Sequence, residues 1–328
     1  MSTEAVAVTG VLTVCWTAII IGDAVISGIL SAICSITFKK AFLRGLILLL
    51  IPPVFIVWGA LIGRERPQVK KVELEFNNLP VEFEGYRIVH VSDIHARSYS
   101  GRRNSLQKAV DMINSLHPDL IAFTGDLITL DASEITPVED ILSSLKAKDG
   151  VAAVLGNHDY GIYSDPTHKG TDRKILQEVI RHEREMGWNL LTDENITIVR
   201  GRDSIAVIGV QNTSPSRHFP SKGSLNKASE GTDGLFRILL THDPLHWENE
   251  IIGKDYPLTL SGHTHAMQLS ILGWSPSSLM FRQYRGLYSE NGQYLYVNIG
   301  LGETIIPTRI GSRPEITLIT LKRSSQGL

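Results

Sequence analysis

The chain has 328 residues, of which 43% are hydrophobic and 20% are charged, and its formal net charge is −2. A net charge this close to zero gives no electrostatic footprint for nucleic acid, so no nucleic-acid partner is expected. Both cysteines, Cys15 and Cys34, lie in an apolar N-terminal region. This excludes a disulfide framework in the remainder of the chain.

The N-terminal region, residues 1–63, predicts an integral membrane anchor surrounded by membrane lipids. Asp23 is the only charged residue in the apolar run 5–38, and a second apolar run covers 46–62. A helix needs about 20 apolar residues to cross the hydrocarbon core. The first run is long enough for one tilted span or for two short spans hinged near Asp23. That residue is then either an intramembrane functional charge or, preferably, a residue at a helix end or turn.

An alternative for the same region is a cleaved signal peptide followed by a buried core helix. The first run lacks the basic segment that such peptides carry, so membrane attachment is the better interpretation. Basic residues flank the second run on both sides, and the sequence therefore leaves open which side of the membrane carries the remainder of the chain. Residues 64–71 are polar and contain a proline, which predicts a linker before a folded domain at 72–328.

The folded domain shows strand and helix patterns in alternation. Strands are predicted at 72–76, 86–91, 120–123, 151–155, 205–208 and 235–240, and helices at 104–116, 138–147, 172–186 and 244–252. Such alternation predicts an α/β sheet. In the C-terminal third, short strand-like runs follow one another at 267–271, 279–288, 293–298, 303–308 and 315–321. These runs predict mainly antiparallel pairing.

Polar side chains follow five of the apolar runs, where a metal or a substrate can be bound. They are Asp93 and His95, then Asp126, then Asn157, His158 and Asp159, then His242, and finally His263 and His265. Ligands of open α/β sheets bind outside the carboxyl ends of the strands. We therefore expect these side chains to meet at one edge.

The residue types in this set indicate a metal centre. With no cysteine among them, the candidates suit Mn, Fe, Zn, Co or Ni, of which manganese is preferred. Without His158 and Asp159, seven candidate ligands remain. They are more than one ion needs but suffice for two ions if Asp126 bridges them. Two ions about 3.5–4 Å apart promote in-line displacement at phosphorus. His158 is then the general acid or a stabiliser of the transition state rather than a metal ligand, and Asp159 would orient its imidazole.

In the order D-x-H, G-D, G-N-H-D, H and G-H-x-H, these residues resemble the signature of the calcineurin-like metallophosphoesterases. The resemblance runs from about residue 86 to the C-terminus. It implies an α/β fold made of a two-sheet mixed β-sandwich flanked by helices, here preceded by N-terminal transmembrane helices, with 72–328 as the catalytic domain. It also implies one ion held by Asp93, His95, Asp126 and His265, a second held by Asp126, Asn157, His242 and His263, and catalytic roles for His158 and Asp159.

Further segments are similar to a bacterial, membrane-associated branch that includes UDP-2,3-diacylglucosamine pyrophosphohydrolases. They lie at 156–160, 260–265, 286–288, 295–302 and 313–315. The branch differs from this chain at Ala266-Met267, where many relatives have glycine, and this leaves the substrate fit open. The resemblance favours hydrolysis of a phosphoester or pyrophosphate bond in a lipid-linked substrate. The alternatives are an inactive membrane-bound scaffold on the same fold and a nucleotide phosphodiesterase.

For the remaining residues, the sequence leaves two interpretations of their role open. Arg97 and Tyr160 either contact substrate or belong to the ordinary surface and core. The polar segment 211–234 is either a cap over the site or a surface insertion. The aromatic residues Trp247, Trp274 and Phe281 are expected in the core, with contact to an acyl chain as the alternative.

Overall fold

The structure, a computed structural model, describes residues 3–34, 36–164 and 171–324, and it begins with two long apolar helices. The first is α1 (Thr3–Ile33). The second combines α2 (Phe38–Gly45), a 3-10 turn (Leu46–Leu50) and α3 (Ile51–Leu61). Pro52 and Pro53 lie in the first turn of α3, where a missing backbone N–H is tolerated, so they do not end the helix.

Both helices are long and apolar enough to cross a membrane, over Ala5–Ile33 and Phe38–Glu65. None of the first span's most apolar window and only 6% of the second's is buried inside the protein. A core helix would be mostly buried, so the second run is not the buried core helix that the signal-peptide alternative requires. The two helices contact each other where Trp16 Nε1 donates to the carbonyl of Leu49 at 2.8 Å.

The first apolar run forms one helix, because α1 continues without a break past Asp23. The alternative of two short spans is therefore wrong, as is the expectation that Asp23 lies at a helix end or a turn. Asp23 is buried and accepts a hydrogen bond from Ser27 Oγ at 3.3 Å. Its carboxylate packs against Gly45, where a Cβ atom would overlap it.

The folded domain contains twelve strands in the described ranges, arranged in two mixed sheets. In chain order they are β1 (Gln68–Phe76), β2 (Arg87–Val91), β3 (Leu120–Phe123), β4 (Val151–Ala153), β5 (Asn189–Leu190), β6 (Glu194–Arg200), β7 (Asp203–Gly209), β8 (Phe236–Leu240), β9 (Leu258–Ser261), β10 (Gly286–Glu290), β11 (Gln293–Val297) and β12 (Glu315–Arg323). Sheet A has the order β1-β12-β2-β3-β4-β5, and sheet B has the order β10-β11-β9-β8-β7-β6. The predicted two-sheet mixed sandwich is confirmed.

Parallel pairing dominates the centre of both sheets. Strands β2 to β5 are parallel in sheet A, and β7, β8, β9 and β11 are parallel in sheet B. The antiparallel pairs are β2 with β12, β6 with β7 and β10 with β11. The expected antiparallel C-terminal third is therefore only partly correct, because β11 and β12 also pair in parallel with β9 and β1.

Strand β3 shows how the layers pack. Leu120 and Ala122 point into the core between the two sheets, whereas Ile121 and Phe123 point to the outer face of sheet A. Alternate residues of a strand face opposite sides, and apolar residues on both sides mark a sheet covered on both faces. The folded domain is thus a four-layer sandwich with its central core between the sheets.

Helices cover the two outer faces. On sheet A, α4 (Arg103–Ser115), α5 (Glu139–Leu142) and α6 (Thr171–Glu185) pack through residues such as Leu106 and Val179. On sheet B, the short α7 (Leu225–Ala228) and a π-helical turn at Trp247–Ile251 do so. Trp247 lies in this core as expected.

Five expectations from the sequence, for two helices, one linker and two strand-like runs, were wrong in detail. The helix expected at 138–147 is only the single turn α5, and the helix expected at 244–252 is a short π-helical turn. The predicted linker 64–71 is not separate from the fold, because β1 begins at Gln68 and pairs with Glu315. Runs 267–271 and 303–308 form no strand, since φ is positive at Met267 and Gln268 in the first run and at Ile305 in the second.

Candidate metal centre

The seven candidate ligands come together at the carboxyl ends of five strands from both sheets. In sheet A, β2 is followed by Asp93 and His95, β3 by Asp126, and β4 by Asn157; in sheet B, β8 is followed by His242, and β9 by His263 and His265. All except His263 are buried. Parallel strands place their carboxyl ends at one edge, and this is why positions far apart in sequence converge.

Five of these residues have positive backbone φ. They are Asp93 (50°), His95 (44°), Asp126 (60°), His263 (76°) and His265 (50°). Residues other than glycine rarely adopt this region, because the side chain crowds the backbone there. The sharp turns direct the side chains back across the strand ends. Such strain is concentrated at functional sites, where the surrounding structure enforces it.

One group of donor atoms consists of Asp93, His95 and His265. His265 Nε2 lies 3.1 Å from His95 Nε2 and 3.2 Å from Asp93 Oδ1. Two ligands of one ion, each about 2.0–2.2 Å from it, lie about 3–3.5 Å from each other. The Nδ1 of His95 donates to the carbonyl of Ile128 at 2.9 Å, which leaves Nε2 as the nitrogen with a free lone pair.

The second group consists of Asp126, Asn157, His242 and His263. His242 Nε2 lies 3.2 Å from Asp126 Oδ2 and 3.0 Å from Asn157 Oδ1. His263 Nδ1 lies 2.8 Å from Asn157 Oδ1 and 3.1 Å from His242 Nε2. These separations again match those between ligands of a single ion.

Asp126 links the two groups. Its Oδ2 atom is 3.2 Å from His242 Nε2 and 3.8 Å from His95 Nε2, so one carboxylate faces both sets of donors. The backbone comes close at this point, since a Cβ atom on Gly156 would overlap the Asp126 carboxylate. Glycine is therefore required before Asn157.

The electrostatics of the site suit cation binding. Burial raises the pKa of Asp126, but the His242 and His158 rings outweigh this and hold it well below its usual range. Burial lowers the pKa of His95 and that of His263. The carboxylate is thus ionised and the two imidazoles are neutral. These are the forms that bind metals.

His242 is the exception among the histidines. Burial lowers its pKa, but the charges of Asp126 and Asp93 together raise it to about 10. Without an ion, a proton on this ring therefore balances the buried carboxylates. Asp93 Oδ1 is completely buried and accepts no hydrogen bond. A divalent ion would satisfy that oxygen and replace the His242 proton, so the donor set fits a metal pair.

His158 lies beside this centre and on the edge of a cavity. Its backbone N–H donates to Asp126 Oδ1 at 2.8 Å, and its ring centroid is 4.8 Å from that of His95. The ring Nδ1 donates to the carbonyl of Thr129 at 2.7 Å. The side chain is half-buried, so Nε2 is the nitrogen that can exchange a proton with a bound molecule.

Asp159 does not orient the His158 imidazole, and this expectation from the sequence was wrong. Its fully buried carboxylate accepts four backbone N–H groups, those of Asp126 (2.9 Å), Leu127 (2.9 Å), Ile128 (3.2 Å) and Gly156 (2.8 Å). The carboxylate therefore holds together the turns after β3 and β4. It supports the candidate ligands Asp126 and Asn157 through the backbone.

Sequence reasoning missed two residues that shape the site. Tyr163 packs against His158 with ring centroids 4.2 Å apart, and its hydroxyl accepts from Asn157 Nδ2 at 3.1 Å. The fully buried Arg309 donates to the carbonyls of Ile299 (2.9 Å) and Gly300 (3.1 Å), and its Nη2 lies 3.3 Å from His265 Nδ1. Only the Arg309 contacts with other chain segments reveal its role, and a single sequence does not show these.

The remaining candidates are distributed around the site. Arg97 is exposed and lines the cavity beside His158, whereas Tyr160 is buried and its hydroxyl donates to Gln211. Segment 211–234 reaches the centre through Phe219, whose ring centroid is 4.9 Å from that of His263.

Two aromatic residues differ from the core placement expected for them. Phe281 is half-buried, and its ring centroid lies 5.6 Å from that of His263. Trp274 is 51% exposed, so the expectation that it packs in the core was wrong.

Comparison with known proteins agrees with this geometry. The chain is 33% identical to a transmembrane protein with metallophosphoesterase domain from Danio rerio, over 89% of the chain and 65% of the relative, so it spans about two thirds of that protein. It is 32% identical to the metallophosphoesterase YkuE of Bacillus subtilis, over 75% of the chain and 82% of the relative. It is 29% identical to the UDP-2,3-diacylglucosamine pyrophosphatase LpxG of Chlamydia trachomatis, over 74% and 86%.

A family model described as calcineurin-like phosphoesterase matches residues 86–267, more than half of the chain. This family uses a dinuclear divalent metal centre, and the structure groups candidate ligands accordingly. Its members hydrolyse phosphate esters or anhydrides, and the arrangement of strand ends, donor atoms and His158 suits that reaction. The chain therefore belongs to the calcineurin-like phosphoesterase family and is a phosphate-ester or phosphate-anhydride hydrolase.

Proposed function

We propose that this protein is anchored in a membrane by its two apolar helices and hydrolyses a phosphoester or pyrophosphate bond of a lipid-linked substrate at the membrane surface. The most specific substrate that we propose is a nucleotide-sugar lipid such as UDP-diacylglucosamine. The pyrophosphatase LpxG, which the chain resembles, is named for that substrate.

A single cavity carries the proposal. It has a volume of about 910 Å³, and its lining includes His158 and Tyr163 beside the candidate metal centre and Arg64 at the end of the second apolar helix. A lipid headgroup entering beside Arg64 would reach the metal centre without leaving the protein surface. This volume lies in the range of pockets that hold a drug-sized ligand, about 300–1,000 Å³.

The charges of the cavity suit a phosphorylated headgroup. Arg64, Arg97 and Arg102 line it together with Glu134 and Glu303. Arg64 lies 3.9 Å from Glu303, and Arg102 lies 3.5 Å from the same carboxylate and 2.6 Å from Glu65, so ion pairs hold both guanidinium groups at the cavity wall. Planar guanidinium groups bind phosphate oxygens through paired hydrogen bonds.

The candidate ligands would hold two divalent ions, with Asp93, His95, Asp126 and His265 around one ion and Asp126, Asn157, His242 and His263 around the other. Manganese is the preferred ion. When bound, such ions neutralise phosphate oxygens and activate water for in-line attack at phosphorus. His158 would donate a proton from Nε2 to the leaving oxygen while its Nδ1–H stays on the Thr129 carbonyl. Tyr163 would hold the His158 ring in place by packing against it.

The test uses purified full-length protein in lipid nanodiscs supplied with Mn²⁺. Candidate lipid-linked and nucleotide phosphates are incubated with wild type, His158→Asn and His117→Asn, and the products are identified by mass. We expect His158→Asn to be slower by roughly 10²–10⁴-fold, the usual contribution of general acid–base catalysis. His117 is exposed and has positive φ, so asparagine is well tolerated there and the rate should be unchanged.

Each outcome has a clear meaning. Equal rates for wild type and His158→Asn would end the assignment of His158 as the general acid. Faster cleavage of water-soluble nucleotides than of lipid-linked phosphates would favour the nucleotide phosphodiesterase alternative. No product from any substrate, with metal bound, would favour the inactive scaffold.

A further inference from the structure

A group of large apolar side chains is exposed on the folded domain, mostly in the segment that follows the candidate ligand His265. This apolar rim comprises Ile271 (56% exposed), Leu272 (104%), Trp274 (51%), Leu279 (79%), Met280 (65%) and Ile305 (65%). Five of the six lie within segment 271–280, and large exposed apolar side chains concentrated in this way mark a binding surface. None of these residues belongs to the candidate metal centre or lines the cavity except Ile305.

The tip of the rim is a tight hairpin that lacks the residue usual for its backbone. Ile271 and Trp274 exchange both backbone hydrogen bonds, at 2.8 and 3.0 Å, around Leu272 and Gly273. Both central residues have positive φ, 49° and 89°. Turns of this kind prefer Asn-Gly, because a leucine strains the backbone there. Burial inside the protein does not compensate this strain, since Leu272 is completely exposed.

The hairpin is held firmly. Arg285 Nη1 donates to Ser270 Oγ at 3.0 Å, and its Nη2 donates to the carbonyl of Gly273. Ser275 Oγ donates to the carbonyl of Ala266 at 2.5 Å. The tip is thus a braced projection whose apolar side chains are presented outward.

The rim is connected to the second apolar helix through segment 304–311. On one side, Ser270 N donates to the carbonyl of Ile310 at 2.7 Å, and Gln268 Nε2 donates to that of Thr308 at 2.8 Å. On the other side, Thr308 Oγ1 donates to the carbonyl of Ile56 at 3.1 Å. At Gly59 a Cβ atom would overlap the Thr308 hydroxyl, so helix and segment are in direct contact.

The contacts of the rim with the second apolar helix, through segment 304–311, indicate that the rim lies against lipid. Ile56 and Gly59 lie within the apolar span Phe38–Glu65, so segment 304–311 touches a part of the helix suited to lipid. We infer that the apolar rim inserts into the interfacial layer of the same bilayer that holds the helices, with Trp274 and Leu272 as its deepest groups. The inference rests on the proposed membrane anchoring. Tryptophan suits this depth, because its ring is apolar while its N–H can stay hydrated.

Insertion of the rim would make the domain contact the bilayer at two places, the helices and the hairpin. The cavity mouth beside Arg64 and the exposed Ile305 would then face the lipid headgroups. A bilayer-embedded substrate would enter without diffusing through water, whereas a water-soluble substrate would gain nothing from the rim.

The test measures lipid contact in the full chain. In a background with Cys15→Ser and Cys34→Ser, single cysteines at Leu272, Val14 and Val199 are labelled with an environment-sensitive fluorophore in nanodiscs containing nitroxide-labelled lipid. Val14 is 70% exposed on α1, and Val199 is 67% exposed on β6, the edge of sheet B opposite β10. We expect quenching at Leu272→Cys close to that at Val14→Cys and several-fold stronger than that at Val199→Cys.

The failures of the two proposals are distinguishable. Quenching at Val14→Cys with none at Leu272→Cys would refute insertion of the rim while leaving the anchor intact. Absence of quenching at Val14→Cys would refute the anchor and the rim together. The fluorophore at Leu272→Cys could instead report an apolar environment that nitroxide-labelled lipid does not quench and that is lost on dilution. This result would show that a second copy of the chain covers the rim, and it would also refute the inference.

An activity measurement supplies a second test. Leu272→Asp combined with Leu279→Asp changes only exposed side chains, so the protein should fold. We expect a several-fold loss of hydrolysis for substrate embedded in vesicles and an unchanged rate on a soluble aryl phosphodiester. An equal change in both rates would contradict insertion of the rim.

Discussion

Replacing Asp159 by asparagine separates its structural role from the chemistry of its neighbour. In the wild type, Oδ1 accepts from two backbone N–H groups and Oδ2 from two others, and the side chain is fully buried. Asparagine keeps one oxygen and replaces the other with an NH₂ group. In either orientation of the amide, two buried N–H donors lose their acceptor and face another donor.

The magnitude follows from this count. A buried donor without a partner costs about 1–3 kcal/mol, so two such donors cost about 2–6 kcal/mol. The substitution also removes the repulsion between Asp159 and Asp126, which favours the lower half of this range. We therefore expect Asp159→Asn to lose about 2–4 kcal/mol of unfolding free energy and about 5–15 °C of Tm.

The assay is thermal unfolding of the full chain in detergent with a chelator present, so that bound ions do not mask the change. Asp140→Asn is the matched control, because its carboxylate is exposed and its ion pair, at 2.6 Å, is with the also exposed Arg103, so its Tm should not shift measurably. A Tm for Asp159→Asn equal to that of the control would refute the backbone-holding role. His158→Asn, which loses a single side-chain hydrogen bond, should unfold close to the wild type while losing activity.

Three further predictions concern metal, pH and backbone space. Chelation should abolish activity and lower Tm, with Mn²⁺ restoring both, because ions that bind only the folded state stabilise it; an unchanged Tm would contradict a loaded site. Burial raises the pKa of Asp119, but Lys148 and Arg200 outweigh this and hold it below its usual value. The stability that Asp119 contributes is therefore present at neutral pH and lost as the pH falls below about 4. The difference in Tm between wild type and Asp119→Asn should disappear in that pH range. A constant difference from pH 7 to 3 would contradict the stabilising role of the ionised Asp119. Gly125→Ala should lose about 2–4 kcal/mol in denaturant unfolding, because φ is 91° and a Cβ atom would overlap the backbone of Gly156, whose Cα would be 2.7 Å away. Gly187→Ala, with φ of 79° and open space, should lose clearly less.

The sequence predicted the elements whose pattern is local. Strand β3 and its neighbours have continuous apolar runs ending in Asp or His, and these runs alone located the strand ends that carry Asp93 and Asp126. The apolar spans could be predicted for the same reason, since length and composition decide them. The combination of His263 and His265 with earlier motifs then predicted which residues meet.

The parts that could not be predicted depend on contacts between distant segments. The role of Asp159 is set by four backbone N–H groups, and backbone groups leave no trace in the residue pattern. Arg309 resembles any surface arginine until the chain folds around it. Run 267–271 was expected as a strand, yet positive φ at Met267 and Gln268 prevents one. In each case tertiary contacts decide over local propensity.

The origin of the ligands in both sheets has a consequence for how the sandwich is held together. Asp93 follows a strand of sheet A and His265 follows a strand of sheet B, about 170 residues later. An ion held by both would cross-link the two layers much as a disulfide does in a secreted domain. For a loop of this length, such a link removes on the order of 5 kcal/mol of chain entropy from the unfolded state. In a domain whose sequence offers no cysteine pair, the catalytic ions would thus also act as cross-links between the two sheets. Removal of the ions should therefore make the β8–β9 region the first that a protease cleaves.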